Sequence, residues 1–417
     1  MYEEFGISKE IKKMAEEAEK DLELIYKKFD EQCLKSSMKV LKAFQDNKVS
    51  TTDFNEVTGY GYYDGGRDKL EKVYAQVFNT EDALVRPQIM SGTHALYLSL
   101  SALLKYGDTM ISVSGEPYDT IRNVIGISGD SKNSLVEHGI KYEQIDLINN
   151  DFDYESIAKR IKQGGVKLVE IQRSRGYANR KSLTMDKIEK AIKTIKEIDK
   201  NVIILVDNCY GEFVEEKEPT EVGADLCASS LMKNLGAGIA TSGGYIVGKE
   251  SLIEQIAERL AFPSIGKSLG ANFNRLLSYY KGLYMAPRVV NSSLKTMAFA
   301  SRILEKLNYS VSPKYDEKRT DIIQTIELMD ENKLVSFCQN IQKGAAVESY
   351  VTPIPSEMPG YPHKEIMAGG SFTPGSTIEL SCDGPLCPPY TAYMQGGLTY
   401  EYGKLEILIA VKNLLKI

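Results

Sequence analysis

The chain has 417 residues, of which 42% are hydrophobic and 26% charged, and its formal net charge is -6. This length exceeds that of one hydrophobic core, and the composition excludes a disordered or collagenous protein, so a globular protein of more than one domain is expected. The negative charge without a concentrated basic face argues against a nucleic-acid partner. The lack of an apolar leader, or of a run of roughly 18 apolar residues, argues against secretion and membrane insertion and predicts a cytoplasmic protein.

Helical patterns dominate the beginning of the chain. Residues 7–46 carry apolar side chains at helical spacing between Lys and Glu, which predicts one or two amphipathic helices within an N-terminal helical arm, residues 1–70. A turn rich in Tyr and Gly, at residues 59–66, leads into a helix from about Arg67. The segment SGTHALYLSLSALL, residues 91–104, begins as a Gly-containing turn and continues as a helix.

Strands and helices then alternate as far as residue 248. Short runs rich in Val, Ile and Leu are separated by helical patterns such as residues 154–164 and 184–199. This alternation is typical of βαβ units with a buried, mostly parallel sheet, and it predicts a large domain over residues 71–290. The predicted strands are TMISVS (109–114), KYEQIDL (141–147), VKLVEIQ (166–172), NVIILVD (201–207), LCASSLM (226–232) and GGYIVG (243–248).

The remainder of the chain predicts a smaller α+β domain, residues 291–417. A helical stretch over residues 270–307 leads into it, and a helix over residues 404–415 closes it. The strand-like runs between them are RTDIIQTIEL (319–328), SYVTPIP (349–355) and STIELS (376–381).

The cysteines and histidines predict no metal site. The six cysteines are scattered, only Cys382 and Cys387 lie close together, and their spacing does not match that of zinc-binding pairs. The three histidines are distant from them in the sequence. We expect most of the cysteines to be reduced packing residues, as in a reducing compartment.

Polar residues directly after the predicted strands are the candidates for chemistry. In an open α/β sheet, ligands bind beyond the carboxyl ends of the strands. Four segments have this position or begin a following helix, namely SGTHA (91–95), SGEPYDT (114–120), VDNCYGE (206–212) and SSLMKN (229–234).

Asp207 and Lys233 are the most informative of these residues. Asp207 ends a buried strand, where a carboxylate needs a cationic partner such as a pyridinium nitrogen; alternatively it caps a helix or closes a turn. Lys233 follows 26 positions later (233 − 207 = 26), between a buried strand and a Gly-rich loop. A partly desolvated amine loses proton affinity and becomes able to form a Schiff base, as the lysine of enzymes that use pyridoxal 5'-phosphate (PLP) does.

The segment Ser91-Gly92-Thr93 and Tyr118 add weaker signals. The backbone N–H groups of this segment and the Thr93 hydroxyl could bind a phosphate at a helix N-terminus, although small residues also serve there simply as caps. Tyr118 could stack on a cofactor ring, or it could be an ordinary packing residue.

Several long motifs resemble one family. The order and spacing of SGTHA, Tyr118, VDNCYGE and SSLMK resemble the Cys/Met-metabolism group of fold-type-I PLP enzymes. The similarity is closest to the bacterial family labelled aluminium-resistance protein, or methionine gamma-lyase / cystathionine beta-lyase-like protein, and extends from about Tyr60 onward. The segments that carry it are GYGYYDGGRDKLE, ALVRPQIMSGTHAL, QRSRGYANR, VDNCYGEFVEE, PTEVGADL and YMQGGLTYE.

The resemblance implies an α/β PLP-dependent transferase fold, with a mostly parallel sheet of the seven-stranded type, and a PLP site. In it, Lys233 forms the internal aldimine, Asp207 holds the pyridinium nitrogen, and Cys209 and Tyr118 cover the two ring faces. The resemblance assigns phosphate binding to Gly92, Thr93 and Ser230. It further implies that a neighbouring subunit contributes to the phosphate from Tyr60, Tyr62 and Arg67, so that a homodimer or homotetramer is expected.

The chain departs from this pattern at the substrate site. Lyases of the group hold the substrate carboxylate with an Arg just before a Leu-Ser pair, whereas this chain has Ile378 and Glu379 there. Arg173 and Arg175 in QRSRG are the candidate replacements, although each could equally be a surface or ion-pair residue. Met232 stands where a hydroxyl residue is frequent, which puts details of phosphate binding in doubt.

The leading hypothesis is therefore a PLP-dependent carbon–sulfur lyase that acts on a small sulfur-containing amino acid. Fold and cofactor do not fix the reaction type, so transamination, racemisation and retro-aldol cleavage stay open. A third alternative is a PLP-binding regulatory protein with an incomplete site, and a fourth is another doubly wound enzyme in which Asp207 binds a metal or a phosphate. No pattern in the chain indicates an aluminium site.

Overall fold

The computed structural model describes residues 2–358 and 361–414 and contains two compact units. One unit is Ser36–Met285, and the other combines the two ends of the chain, up to Lys35 and from Ala286. The predicted boundary near residue 290 lies close to this junction, whereas the predicted arm over residues 1–70 is divided between the units. The division of the chain into arm, large domain and small domain stays a prediction.

The unit Ser36–Met285 is an α/β structure. Residues of α1 and α8 divide between the two units, and the other elements below belong to this unit alone. The helices are α1 Lys9–Asp46, α2 Gly65–Val77, α3 Gly92–Leu103, α4 Asp119–Ile125, α5 Tyr154–Lys162, α6 Met185–Ile198, α7 Glu250–Leu260 and α8 Leu276–Lys306. The strands are β1 Asp82–Arg86, β2 Thr109–Ser112, β3 Lys141–Gln144, β4 Val166–Gln172, β5 Ile203–Asp207, β6 Leu226–Ser230 and β7 Gly244–Gly248.

Among the described residues, these seven strands form one sheet in the order β1-β7-β6-β5-β4-β2-β3. Strand β7 runs antiparallel to β6 and β1, and the remaining pairs are parallel. The predicted mostly parallel sheet is confirmed. Sequence reasoning missed β1, a five-residue strand with a charged residue at each end.

Apolar side chains on both faces explain why the sheet is buried. Successive residues of a strand point to opposite faces, so Leu168, Leu205 and Leu226 pack in one core with α3 and α7. Val169 and Val206 pack in a second core with α5 and α6. Asp207 follows Leu205 by two positions and therefore lies on the face of the sheet that α3 covers.

The chain-end unit contains a separate antiparallel sheet. Over the described residues its order is β10-β11-β12-β9-β8, and its apolar side chains pack with those of the helices in one core. Its elements are β8 Ser310–Ser312, β9 Ile323–Glu327, α9 Glu331–Gly344, β10 Glu365–Ala368, β11 Ser381–Pro385, β12 Thr391–Gln395 and α10 Tyr400–Leu414.

Two predicted strands of this unit are wrong. Residues 349–355 form no strand, because their two prolines, Pro353 and Pro355, cannot donate to a ladder. Strand β11 begins only at Ser381, the last residue of the predicted run 376–381. The predicted closing helix is confirmed to Leu414, and its last residue lies outside the described residues.

No helix within residues 2–358 and 361–414 combines the length and the apolar character that crossing a bilayer requires.

Candidate active site

The carboxyl ends of β4, β5 and β6 bring the predicted site residues together. Asp207 is the last residue of β5 and pairs in register with Gln172 of β4 and Ala228 of β6. Ser230 ends β6, and Lys233 follows it by three positions. Because these strands are parallel, their ends share one edge of the sheet, as the sequence predicted.

Asp207 is a buried acceptor at this edge. Its side chain is 7% exposed, and the backbone N–H of Cys209 donates to its Oδ1 at 3.0 Å. This hydrogen bond fixes the carboxylate relative to the turn that follows β5. A buried carboxylate in this position can accept from a protonated ring nitrogen.

The amine of Lys233 lies beside the same turn. Its Nζ is 4.1 Å from the centroid of the Tyr210 ring. Burial opposes the charged amine, but the side chains of Cys209, Tyr210 and Asp207 outweigh it and raise the pKa of Lys233 above its usual value. The Asp207 carboxylate is one of the groups that favour the ammonium, and the expectation that this amine loses proton affinity stays a prediction.

The N-terminus of α3 forms a narrow cradle against β6. A Cβ atom on Gly92 would lie 3.2 Å from Cys209 Sγ and 3.5 Å from the backbone nitrogen of Ser230. Such a Cβ would be in tight contact with the thiol and in ordinary van der Waals contact with Ser230, so the start of α3 packs closely against the end of β6. Ser91 caps the helix by accepting from the backbone N–H of His94 at 3.1 Å. The arrangement places helix N–H groups beside Ser230, as an anion-binding cradle requires.

Three hydroxyl groups belong to the same region. Thr93 Oγ1 lies 2.7 Å from Thr120 Oγ1, which links the start of α3 to the start of α4. Ser230 Oγ accepts from the backbone N–H of Met232 at 3.0 Å. Because an accepting hydroxyl keeps its own hydrogen, Ser230 can still donate to an anion.

Cys209 is a neutral packing group in this site. Its side chain is 7% exposed, and the Ser229 hydroxyl donates to its Sγ at 3.3 Å. Burial, reinforced by the Asp207 charge, raises the pKa of the Cys209 thiol to about 12. Cys209 therefore presents an uncharged surface between Asp207 and Gly92.

Tyr118 is held in place by the loop that follows β4. Its backbone N–H donates to Gln172 Oε1 at 2.6 Å. A Cβ atom on Gly176 would lie 2.9 Å from Tyr118 Cδ2, and the Tyr177 ring centroid is 6.1 Å from that of Tyr118. The sequence pattern predicts Gln172 only as the end of a strand and gives no indication of its hydrogen bond with Tyr118.

Arg173 directly follows β4 and is completely buried. Its Nη1 donates to Asn208 Oδ1 at 2.7 Å, and its Nη2 donates to Glu215 Oε2 at 3.1 Å. Glu218 Oε2 lies 3.8 Å from Nη1. A guanidinium engaged in this way cannot reach a substrate, so the geometry argues against Arg173 as the carboxylate ligand.

Arg175 lies beyond the end of β4, in the loop next to Tyr118. Its Nε donates to the Arg180 carbonyl at 2.5 Å, and its backbone N–H donates to Ser182 Oγ at 3.0 Å. The following residue, Gly176, packs against the Tyr118 ring. Arg175 is therefore adjacent to the predicted ring-covering residue.

The Tyr-rich turn before α2 exposes its aromatic rings. Tyr60 is 75% exposed and Tyr62 is 44% exposed, and their ring centroids are 6.0 Å apart. Such rings beside each other are suited to contact with another chain.

Arg67, by contrast, is buried beneath this turn. Its Nη1 donates to the carbonyls of Gly61 at 2.7 Å and Gly270 at 3.0 Å, and its Nη2 donates to Asp68 Oδ1 at 2.9 Å. These contacts make Arg67 a residue that positions the turn. They argue against the predicted role of Arg67 as a direct phosphate ligand of a neighbouring subunit.

The departure at Glu379 has a structural explanation within the chain-end unit. Glu379 is 4% exposed and accepts from the backbone N–H groups of Phe372 at 2.8 Å and Thr373 at 3.1 Å. The carboxylate thus holds a turn of its own unit.

The site fits PLP. It offers a buried carboxylate for the ring nitrogen in Asp207, an amine in Lys233, and a glycine-lined helix N-terminus beside Ser230 for the phosphate. Sequence reasoning found these groups but missed the Tyr210 ring beside the amine, although Tyr210 lies within the motif VDNCYGE. In the structure Tyr210 has a φ of +70°, which is rare for a residue other than Gly.

Comparisons with known proteins identify the family of the chain. The family model described as methionine gamma-lyase matches residues 11–415. The uncharacterized protein YnbB of Bacillus subtilis is 47% identical over 408 residues, 97% of each chain. A protein from Clostridium acetobutylicum, proposed to be a cystathionine beta-lyase involved in aluminium resistance, has 46% identity and a TM-score of 0.96 over 99% of this chain and 97% of its own.

A carbon–sulfur lyase involved in aluminium resistance from Clostridium novyi NT has 45% identity and a TM-score of 0.95, with 99% of this chain and 98% of its own covered. These matches cover the part of the chain in which the motifs resemble this family. The predicted fold class is confirmed. The chain therefore belongs to the methionine gamma-lyase family, and it is a lyase.

Proposed function

We propose that the protein is a PLP-dependent carbon–sulfur lyase that acts on a sulfur-containing amino acid, in the manner of cystathionine beta-lyase or methionine gamma-lyase, with Lys233 as the residue that carries the cofactor. The observation that supports the proposal most directly is the juxtaposition at one sheet edge of buried Asp207, the Lys233 amine and the Gly92 cradle.

Each of these residues has a defined task in the proposal. The Asp207 carboxylate accepts from the ring nitrogen, and the start of α3 with Ser230 binds the phosphate. Tyr118 and the neutral Cys209 thiol pack against the ring. When bound, PLP supplies an electron-withdrawing ring that stabilises negative charge at the substrate α-carbon.

The proton affinity of Lys233 depends on its neighbours in this proposal. The Asp207 carboxylate is one of the groups that raise the pKa of Lys233. Pairing of Asp207 with a cationic ring nitrogen offsets part of that negative field, so the neutral amine becomes accessible. Lys233 Nζ can then accept the proton that leaves the α-carbon.

Arg175 is our candidate for binding the substrate carboxylate. Its neighbour Gly176 packs against the Tyr118 ring, and the guanidinium geometry suits a carboxylate. Substitution of Arg175 by Lys should raise KM for the amino acid more than it lowers kcat.

We also propose a homo-oligomer. The exposed rings of Tyr60 and Tyr62 form an apolar surface on a turn that buried Arg67 fixes from below. In the proposal this surface contacts a neighbouring copy of the chain close to its phosphate cradle. A double substitution of Tyr60 and Tyr62 by Ala should reduce the molecular mass in sedimentation analysis and weaken cofactor retention together.

The reaction is tested with purified protein and single amino acids, among them cystathionine, methionine and cysteine, with release of thiol, ammonia and keto acid measured for each. We expect thiol-containing product and ammonia from at least one sulfur amino acid, and loss of both in Lys233→Ala. The matched control is Lys281→Ala, at an exposed lysine of the same unit. Turnover that survives in Lys233→Ala would refute the assignment; keto acid without ammonia would indicate transamination.

A further inference from the structure

A second carboxyl group lies behind Asp207 and has no role in the site described above. Glu170 is in the middle of β4 and is 3% exposed. It pairs in register with Ser112 of β2, and Gln172, two positions later, pairs with Asp207. Because side chains two positions apart share a face, Glu170 lies on the same face of the sheet as Asp207.

The contacts of Ser112 indicate which group carries the proton. The Ser112 hydroxyl has one hydrogen, and its Oγ lies 2.7 Å from the Gly115 carbonyl, which can only accept. The same Oγ lies 2.9 Å from Glu170 Oε2. If the serine hydrogen goes to the carbonyl, the contact with Glu170 is a hydrogen bond only when Glu170 is a carboxylic acid that donates to Oγ.

The charges that face Glu170 favour the same state. Burial and then the Asp207 carboxylate raise the pKa of Glu170 to about 7, and the Ser112 contact and the Arg180 guanidinium oppose them. Glu170 also acts electrostatically on Tyr142 of β3, whose pKa is raised first by burial and then by that carboxyl. Two carboxyl groups in one region of low dielectric do not both ionise readily.

We propose that Glu170 is held as a neutral carboxylic acid that donates to Ser112, and that it is a positioning residue that leaves the negative charge of this part of the sheet on Asp207. The effect on the pyridine nitrogen of the cofactor rests on the proposed function. The protonation of Glu170 itself does not depend on it.

The protonation state has a consequence for folding that can be measured without activity. A carboxyl whose pKa is raised in the folded state, here from 4.5 to about 7, binds its proton more tightly in the folded chain. Stability therefore falls as pH rises through this interval and is level above it. Ionisation of this one carboxyl should lower the ratio of folded to unfolded protein about 300-fold across the interval.

The test compares full-length wild-type protein with Glu170→Gln in urea unfolding between pH 5 and pH 8.5. The amide is always neutral and can donate to Ser112 as the acid does. We therefore expect the two proteins to be about equally stable at pH 5 and Glu170→Gln to be increasingly the more stable as pH rises. Glu155→Gln, at an exposed carboxylate of α5, should follow the wild type at every pH.

A spectroscopic measurement on the holoenzyme tests the link to Asp207. We expect the visible absorbance of the wild-type cofactor to change between pH 6 and pH 9 as Glu170 ionises, and that change to be absent in Glu170→Gln and in the near-isosteric Glu170→Met. Parallel stability profiles of wild type and both variants would overturn the protonation, and an unaltered spectral titration in both variants would overturn the positioning role. A wild-type protein without cofactor absorbance would refute the proposed function, while the unfolding comparison would still decide the state of Glu170.

Discussion

Substitution of Arg173 by Met tests whether this arginine stabilises the fold or binds substrate. The side chain is completely buried, and Arg173→Met removes a cation that pairs with Glu215, which is 9% exposed, and that lies close to Glu218, which is 1% exposed. Breaking a buried ion pair by removing one partner costs about 3–5 kcal/mol.

The remaining contacts place Arg173→Met at the lower end of that range. In the variant, Glu215 still accepts from the backbone N–H of Met185 at 3.1 Å. Glu218 still accepts from the backbone N–H of Phe213 at 2.8 Å and from Asn208 Nδ2 at 2.8 Å. These donors satisfy much of the hydrogen bonding of both carboxylates. We therefore expect a loss of about 3 kcal/mol at pH 8, which urea unfolding followed by circular dichroism would measure.

The pH dependence of this loss has a definite sign. Burial raises the pKa of Glu218, and the Arg173 charge opposes the rise. Without Arg173 the pKa of Glu218 rises further, so the folded variant takes up a proton as pH falls and regains stability. The deficit of Arg173→Met should therefore be smaller at pH 6 than at pH 8.

Arg175→Met is the matched control for Arg173→Met. It removes the hydrogen bond from Nε to the Arg180 carbonyl, and we expect it to cost about 1 kcal/mol and to raise KM. An Arg173→Met protein as stable as the wild type but with a strongly raised KM would refute the structural role.

Two further predictions concern glycine packing and thiol reactivity. Gly66→Ala should destabilise the protein by about 2 kcal/mol or more in urea unfolding, because the new Cβ would lie 2.1 Å from the Asp53 carbonyl oxygen. The control, Gly65→Ala, should be neutral or slightly stabilising, because nothing lies within 4 Å of its Cβ and its φ is unremarkable. Equal losses of stability in the two variants would contradict this packing. When native protein is treated with iodoacetamide at pH 8, half-buried Cys33 should be labelled well before Cys209. The reason is that a thiol pKa of about 12 in place of 9.0 lowers the thiolate fraction of Cys209 about 1000-fold. If mass spectrometry finds Cys209 labelled first, this thiol is ionised and the prediction is wrong.

The parallel sheet could be predicted from the sequence because its strands are buried on both faces. Runs such as the one that ends at Asp207 are continuous in Val, Ile and Leu, and this pattern is distinctive when amphipathic helices separate the runs. The antiparallel sheet was harder to predict. Its strands mix polar and apolar residues, and β11, SCDGP, contains Gly and Pro, which are typical of turns.

The main site residues could be predicted because a residue that directly follows a parallel strand must lie at the carboxyl edge of the sheet. Asp207 and Lys233 follow strands, and parallel strands end at one edge of the sheet. The direction of a polar side chain after a strand could not be predicted. Arg173 and Gln172 are neighbours in the sequence, yet one lies in a buried ion pair and the other holds Tyr118.

Buried carboxyl groups within strands are the other omission. Glu170 interrupts an apolar run, and a local pattern gives no indication that its partner is a serine 58 positions away. Arg67 was assigned from a motif, whereas its contacts with Gly61 and Gly270 depend on how distant segments pack. Both cases depend on tertiary contacts, which periodicity does not encode.

The central claim is that the amine of Lys233 carries the cofactor, and one measurement tests it directly. Purified wild-type protein is reduced with borohydride, digested, and examined by mass spectrometry for a phosphopyridoxyl group. We predict that the group is found on the peptide that contains Lys233 and is absent from Lys233→Ala. A phosphopyridoxyl group on another lysine, or none on a protein that shows cofactor absorbance, would contradict the account.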